Sequence, residues 1–191
     1  MDRTRAAIVE AALSLFGEKG FTDTTIDEIA ERADVGRRTF FRYFPAKEAV
    51  LFHHTEAQVE ATMEALRARP AGEPPYQALL AVLRDVASQF GADTGWQRLV
   101  TQVAQEHAPL LQHHRAVVMC RLEDLITAEM TQRQGLDPDD IGTRAAVAAI
   151  LAAFGSAIRG WILGGTRGSL PERVETALDA AQRALTNTAG S

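Results

Sequence analysis

A chain of 191 residues with 46% hydrophobic content is long enough to bury a sizeable core in one small and one larger domain. Its formal net charge of −5 excludes a protein that coats nucleic acid through overall positive charge, and its single cysteine excludes an intramolecular disulfide framework and a metal site built on several cysteines. Cys120 is expected as a small buried core residue. The longest uncharged apolar run, Ala145 to Ile158, is too short to span a bilayer, and the chain opens on no secretory signal, so a soluble cytoplasmic protein is expected.

Ile8, Ala12, Leu15 and Phe16 recur at helical spacing and predict an amphipathic helix ending at Gly20, with Phe21 locking against the core behind it. Thr25 and Glu28 form a capping box, and Ile26, Ile29, Ala30 and Ala33 repeat at i, i+3, i+4 and i+7 to give a second helix that stops near Ala33. Asp34-Val35-Gly36 then supplies a turn: Asp tolerates unusual backbone angles, Val35 plugs the core, and Gly36 serves as N-cap for a third helix from Arg37. Phe40 and Phe44 fall on one side of that helix. Arg38, Thr39, Arg42 and Tyr43 cover the opposite half, with Arg37 exposed at the first turn. This is the pattern of a helix-turn-helix, whose second helix enters the major groove while the first crosses the backbone.

The local charge supports that reading. Residues 1–54 carry eight basic and nine acidic side chains, a net of −1, yet Arg37 to Lys47 holds four positive charges and no negative one. The basic surface is a patch the size of one groove, so non-specific binding should be weak and affinity should depend on base contacts and on doubling the site by dimerisation. Lys47 is expected in the first turn of the next helix, where its ammonium and free backbone N–H groups converge on a phosphate. The expected DNA-contacting set is Thr25, Arg37, Arg38, Thr39, Arg42, Tyr43 and Lys47.

From Lys47 the helical pattern runs through Leu51, Val59, Met63 and Leu66 as one helix shared by two domains, and it breaks at Arg67 to Pro75. Leu79, Leu83, Val86 and Phe90 mark a fifth helix, Gly91 to Gly95 a connection, and Trp96 to Val103 a sixth. Pro109 fits the first turn of a seventh, whose stripe is Leu111, Val118, Leu122 and Leu125. A turn over Gly135 to Gly142 precedes an eighth that is apolar nearly all round, with Val147, Ile150, Leu151, Phe154 and Ile158 on one face and small residues on the others; such a helix is buried. Leu170-Pro171 opens a ninth. The fold class is all-α, about nine helices, with a helix-turn-helix domain over 1–46 and a helical ligand-binding and dimerisation domain over 47–191.

At the residue level the segment Arg5 to Leu51 resembles the N-terminal DNA-binding domain of the tetracycline-repressor (TetR) family. The matching elements are Ala12, Leu15-Phe16, Gly20-Phe21, Thr25-Ile26, Ile29-Ala30, Ala33, Val35, Thr39-Phe40, Phe44 and Lys47-Glu48. The chain departs from the family pattern at Asp34, where Gly is usual; at Gly36, where Ser caps the recognition helix; at Phe41, where Tyr commonly contacts a phosphate; and at Ala46, where Ser or Asn caps the next helix. The run RRTFFRYFP is similar to the mycofactocin-regulator subgroup, which is associated with acyl-CoA-like ligands. The resemblance implies a dimeric repressor that binds a palindromic operator and is released by a small, mainly apolar effector.

The last two helices, with small residues and apolar stripes, suit close packing against a symmetry mate as a four-helix seam, carried by Ala148, Ala152, Ser156, Val174, Leu178, Ala181 and Leu185. An effector would lie between helices of the larger domain, against Met63, Phe90, Trp96, Val100, Val103, Met119, Leu122, Phe154 and Trp161, each of which would equally serve as plain core. His114 and Arg115 are the polar groups placed to meet an anionic head, with a solvated helix edge as the alternative.

Two other classes remain in view: a ligand- or partner-binding helical protein without specific DNA recognition, and a small helical metalloenzyme. His53, His54, His107, His113 and His114, with Glu106, invite a metal, but no histidine pair lies at i, i+3 or i, i+4, so no cofactor and no metal are expected. No Gly-rich phosphate loop or nucleophile elbow is present, and catalysis is not expected.

Overall fold

The computed structural model of the chain describes residues 3–92, 101, 103 and 108–187. Among them are nine helices and no strand: α1 Arg3–Lys19, α2 Ile26–Arg32, α3 Arg37–Tyr43, α4 Lys47–Leu51, α5 His53–Ala68, α6 Pro75–Ala92, α7 Ala108–Gln134, α8 Ile141–Leu163 and α9 Leu170–Asn187. The Trp96 to Val103 helix, with Trp96 and Val100, lies outside the described residues apart from Thr101 and Val103.

Helix ends follow from local chemistry. At α2 the Thr25 hydroxyl accepts the Glu28 N–H at 3.3 Å while the Glu28 carboxylate accepts the Thr25 N–H at 2.9 Å, completing the expected capping box. α2, α7 and α8 all stop in the same reciprocal way. Val35 N–H donates to Ala30 O and Asp34 N–H to Glu31 O; Leu136 donates to Thr131 and Gly135 to Gln132; Thr166 donates to Trp161 and Gly165 to Ile162. The pivot of this motif needs a left-handed backbone. Gly135 (φ 65°) and Gly165 (φ 71°) supply it without strain, whereas in α2 Asp34 adopts φ 52° itself.

Two apolar cores result. The first gathers Ile8, Ala12, Phe16, Phe21, Ile29, Phe40, Phe44 and Val50, with Val35 and Phe52 packed against it. The second joins Val59, Met63 and Leu66 of α5 to Leu79 and Leu83 of α6, Leu122 and Ile126 of α7, Val147, Ile150, Leu151 and Phe154 of α8, and Val174 and Leu178 of α9. The switch between them happens at Phe52. The single helix expected from Lys47 to Leu66 is therefore two, α4 and α5, parted at Phe52 (φ −94°, ψ 3°). Ala49, Val50 and Phe52 serve the first core and Val59, Met63 and Leu66 the second, so the first core reaches past the boundary expected at residue 46.

Several expectations are corrected by packing. Val174 and Leu178 are completely buried within the chain, against the helices of the second core, so they are not available to a symmetry mate. Val103 is fully buried, but in the first core beside Ile8 and Phe16 rather than in the larger domain. Cys120 is exposed, because it falls on the outer side of α7 away from Leu122 and Ile126. The uncharged run of α8 understated its helix: at 23 residues, with mean hydropathy 1.8 over its most apolar window, α8 is long and apolar enough to cross a bilayer. It includes Arg144 and Arg159, and its Val147, Ile150, Leu151, Phe154 and Trp161 form the centre of the second core.

Candidate nucleic-acid interface and effector domain

The outer face of α3 is built on the first core. Phe40 is fully buried and Phe44 nearly so, which fixes the helix and turns Arg38, Thr39, Phe41 and Arg42 outward as the lining of one concave patch. Arg38 has no ion pair or hydrogen bond among the described residues, and Arg42 has only the ring of Tyr43, 5.1 Å from its guanidinium carbon to the centroid. Arg5 reaches the same ring at 5.9 Å, so α1 and α3 share Tyr43. These uncommitted guanidinium groups are what a groove-reading helix requires.

Three other cations near the motif are paired with carboxylates. Arg37 donates to Asp27 at 2.6 Å, Arg32 pairs with Glu18, and Lys19 with Glu28. Lys19 and the Thr25 cap together hold the Glu28 carboxyl at about 2, well below its ordinary value. The arginine chemistry is thus divided: one set ties α1, α2 and α3 into a unit, and the other faces out.

Of the expected contact residues, Arg37, Arg38 and Arg42 are exposed, Thr39 and Tyr43 are half-buried at the edge, and the exposed Thr25 uses its hydroxyl in the capping box. Lys47 is different. Its ammonium donates to the carbonyls of Phe21 (2.7 Å), Thr24 (2.9 Å) and Thr22 (3.1 Å) and lies 4.5 Å from the Phe21 ring centroid. All three ammonium protons are committed to the loop between α1 and α2, so the phosphate role expected for Lys47 gives way to a clamp on that loop. Phe41, noted in the sequence only as a departure from a phosphate-contacting Tyr and left out of the expected contact set, is 43% exposed on the outward patch.

In the larger domain Met63, Leu122, Phe154 and Trp161 are core, and the Trp161 indole N–H donates to Gly168 O at 3.0 Å. Phe90 meets Trp161 near edge-on, with centroids 6.2 Å apart. Met63 also floors, with Val59 and Leu125, a groove of about 230 Å³ between α5 and α7, rimmed by Glu64, Arg67 and Arg121. Arg115 and Met119 reach from α7 onto α8, where a Cβ at Gly155 would lie 3.7 Å from Nη1 of Arg115 and 3.7 Å from Sδ of Met119. Both distances are ordinary van der Waals contacts, so the two side chains pack directly on the α8 backbone there. Half-buried Arg115 has no ion pair or hydrogen bond among the described residues.

His114 is engaged with the α4/α5 break. Its ring stacks on Phe52 at 3.6 Å and 9°, and its Nε2 lies 3.2 Å from the Thr55 hydroxyl, which joins α7 to the α4/α5 break. His53 instead packs against Phe44, and Glu106 and His107 lie outside the described residues.

On the α8 face away from the core, Ile141 (75%) and Leu163 (69%) are the most exposed large hydrophobic residues, with Ala145, Ala152 and Ser156 exposed between them. Ala148 and Ala181 are half-buried, and the side chain of Leu185 lies outside the described residues.

A helix-turn-helix with a basic, outward recognition helix, joined to an all-helical second domain, defines a DNA-binding regulator of transcription. The family model for bacterial regulatory proteins of the tetR family matches residues 8–53, and that for the MftR C-terminal domain matches residues 73–186. TcmR of Streptomyces glaucescens, an HTH-type transcriptional regulator, is 33% identical over 171 residues, 84% of this chain and 74% of its own. FadR of Thermus thermophilus, a TetR-family transcriptional repressor solved with lauroyl-CoA, superposes with a TM-score of 0.65 at 28% identity over 93% of both chains. NalD of Pseudomonas aeruginosa shares the fold, with a TM-score of 0.67 at 21% identity over 96% of this chain and 97% of its own. The chain belongs to the tetR family of bacterial transcriptional regulators.

Proposed function

We propose that the chain is a dimeric, cytoplasmic repressor whose operator binding is relieved by an acyl-CoA-like effector. The observation that carries the effector class is Arg115, a half-buried cation of α7 with no ion pair or hydrogen bond among the described residues, packed against Gly155 of α8 beside an apolar core. An apolar tail among the helices with an anionic head at Arg115 matches that chemistry. The lauroyl-CoA complex of the Thermus relative favours the same class.

In this mechanism the effector shifts a population rather than deforming a rigid body. Arg115 is the chain neighbour of His114, whose stack on Phe52 leads to the α4/α5 break. Occupancy at α7 and α8 is thereby felt at the joint that orients the two recognition helices, which a dimer must hold about 34 to 36 Å apart to meet successive major grooves. The dimer seam uses the exposed small face of α8 around Ala152 and Ser156. The chain acts by binding and carries out no catalytic step.

Lauroyl-CoA should raise the melting temperature and release operator DNA, while dodecanol, with the same tail and no charge, should do both poorly. Arg115→Ala should erase that difference and leave operator affinity intact. Equal responses of the unmodified protein to lauroyl-CoA and dodecanol, read by thermal shift and fluorescence anisotropy, would remove both the anionic head and the role of Arg115.

A further inference from the structure

The patch on α3 contains one side chain that phosphate chemistry does not explain. Phe41 is 43% exposed and lines the same concave surface as Arg38, Thr39 and Arg42. Its ring has two neighbours. It meets the fully buried Phe40 edge-on, with centroids 5.6 Å apart and planes at 86°. The Arg37 guanidinium lies 5.4 Å from its centroid, and that guanidinium is itself tied to Asp27 of α2 at 2.6 Å.

A benzyl group has neither donor nor acceptor, so it gives a phosphate nothing to bond. Among the base edges of the major groove the one apolar group is the C5-methyl of thymine, and contact with an apolar side chain is how it is read. The flanking Arg38 and Arg42 bring donors to neighbouring bases, while the two supports spare the ring the ordering cost that a free aromatic side chain would meet on binding. We propose that Phe41 is a specificity-determining residue that reads the C5-methyl of a thymine in each operator half-site. This rests on the DNA-binding reading of α3 and deepens it.

The test begins with the full chain and an operator selected from randomised duplexes. Each thymine is then replaced in turn by deoxyuridine, which keeps base pairing and loses only the methyl group. Unmodified protein should bind about fourfold more weakly at one such position per half-site, the effect of leaving one methyl group unburied. Phe41→Ala should bind thymine and deoxyuridine duplexes equally at that position, and Phe41→Leu should restore part of the difference. Indifference of the unmodified protein to every thymine methyl overturns the proposal, and that scan requires no variant. A methyl dependence that survives in Phe41→Ala also overturns it, because another residue then reads the group. Failure of the unmodified protein to select any sequence removes the DNA-binding reading itself, a separate outcome from the loss of the thymine contact alone.

Discussion

At the scale of the residue, charge placement separates binding groups from structural ones. Arg38 and Arg42 face outward with no acidic partner among the described residues, whereas Lys47, in the same basic run, holds three carbonyls of the loop between α1 and α2. Hydrogen bonds from a charged donor contribute more than neutral ones, so Lys47→Ala should lower the unfolding free energy by about 2 kcal/mol, measured by urea denaturation. An unchanged urea midpoint together with a salt slope of DNA binding reduced by about one would return Lys47 to a phosphate contact. The sequence showed Lys47 in the first turn of a helix, but not that three carbonyls from residues 21–24 converge there.

Glu28 gives a second expectation at this scale. Its carboxyl is held at about 2 by the Lys19 bond and the Thr25 cap, against 4.5 ordinarily. A depressed folded value means stabilisation that is fully present above pH 4.5 and lost as the pH falls towards 2. Glu28 is solvent-exposed and this contribution is screened, so the prediction is one of shape: Glu28→Gln should flatten the acid limb of melting temperature against pH in that window. Superimposable acid limbs for the two proteins would mean that the Lys19, Glu28 and Thr25 cluster does not tie α1 to α2 in solution.

At the scale of the element, α8 presents an apolar side to the core and a small-residue side to the outside. Ala152 is exposed in the single chain, so Ala152→Arg should leave each chain folded while forcing a long charge into the seam, at a cost of several kcal/mol to association, about a hundredfold or more in dimer affinity. Sedimentation should then show folded monomers, and a variant still dimeric at micromolar concentration would exclude Ala152 from the interface. How legible these elements were varied for physical reasons. Caps, turn residues and apolar spacing predicted α1, α2, α3 and the turn between α7 and α8, because each is decided within a few residues of chain. The same local rules identified Val174, Leu178 and Val103 as apolar but could not say which core receives them; the period of a stripe reveals that it is buried, not against what. The break at Phe52 was also hidden, since phenylalanine does not stop helices and the cause is the competing pull of two cores.

At the scale of the molecule, a chain with net charge −5 can serve DNA only if its few outward cations are matched to base edges and duplicated by a second copy. Ion pairs at Arg37, Arg32 and Lys19 knit the helix-turn-helix together. The His114 and Phe52 stack ties it to the larger domain, and α8 exposes a small-residue face that is the proposed dimer seam. Everything in this arrangement serves recognition of an operator by the outward face of α3. Fluorescence anisotropy on the selected operator, with Arg38→Ala and Arg42→Ala compared against unmodified protein, tests it most directly: each substitution should weaken binding by about 1 to 3 kcal/mol without lowering the melting temperature. Unchanged operator affinity in both variants would contradict it.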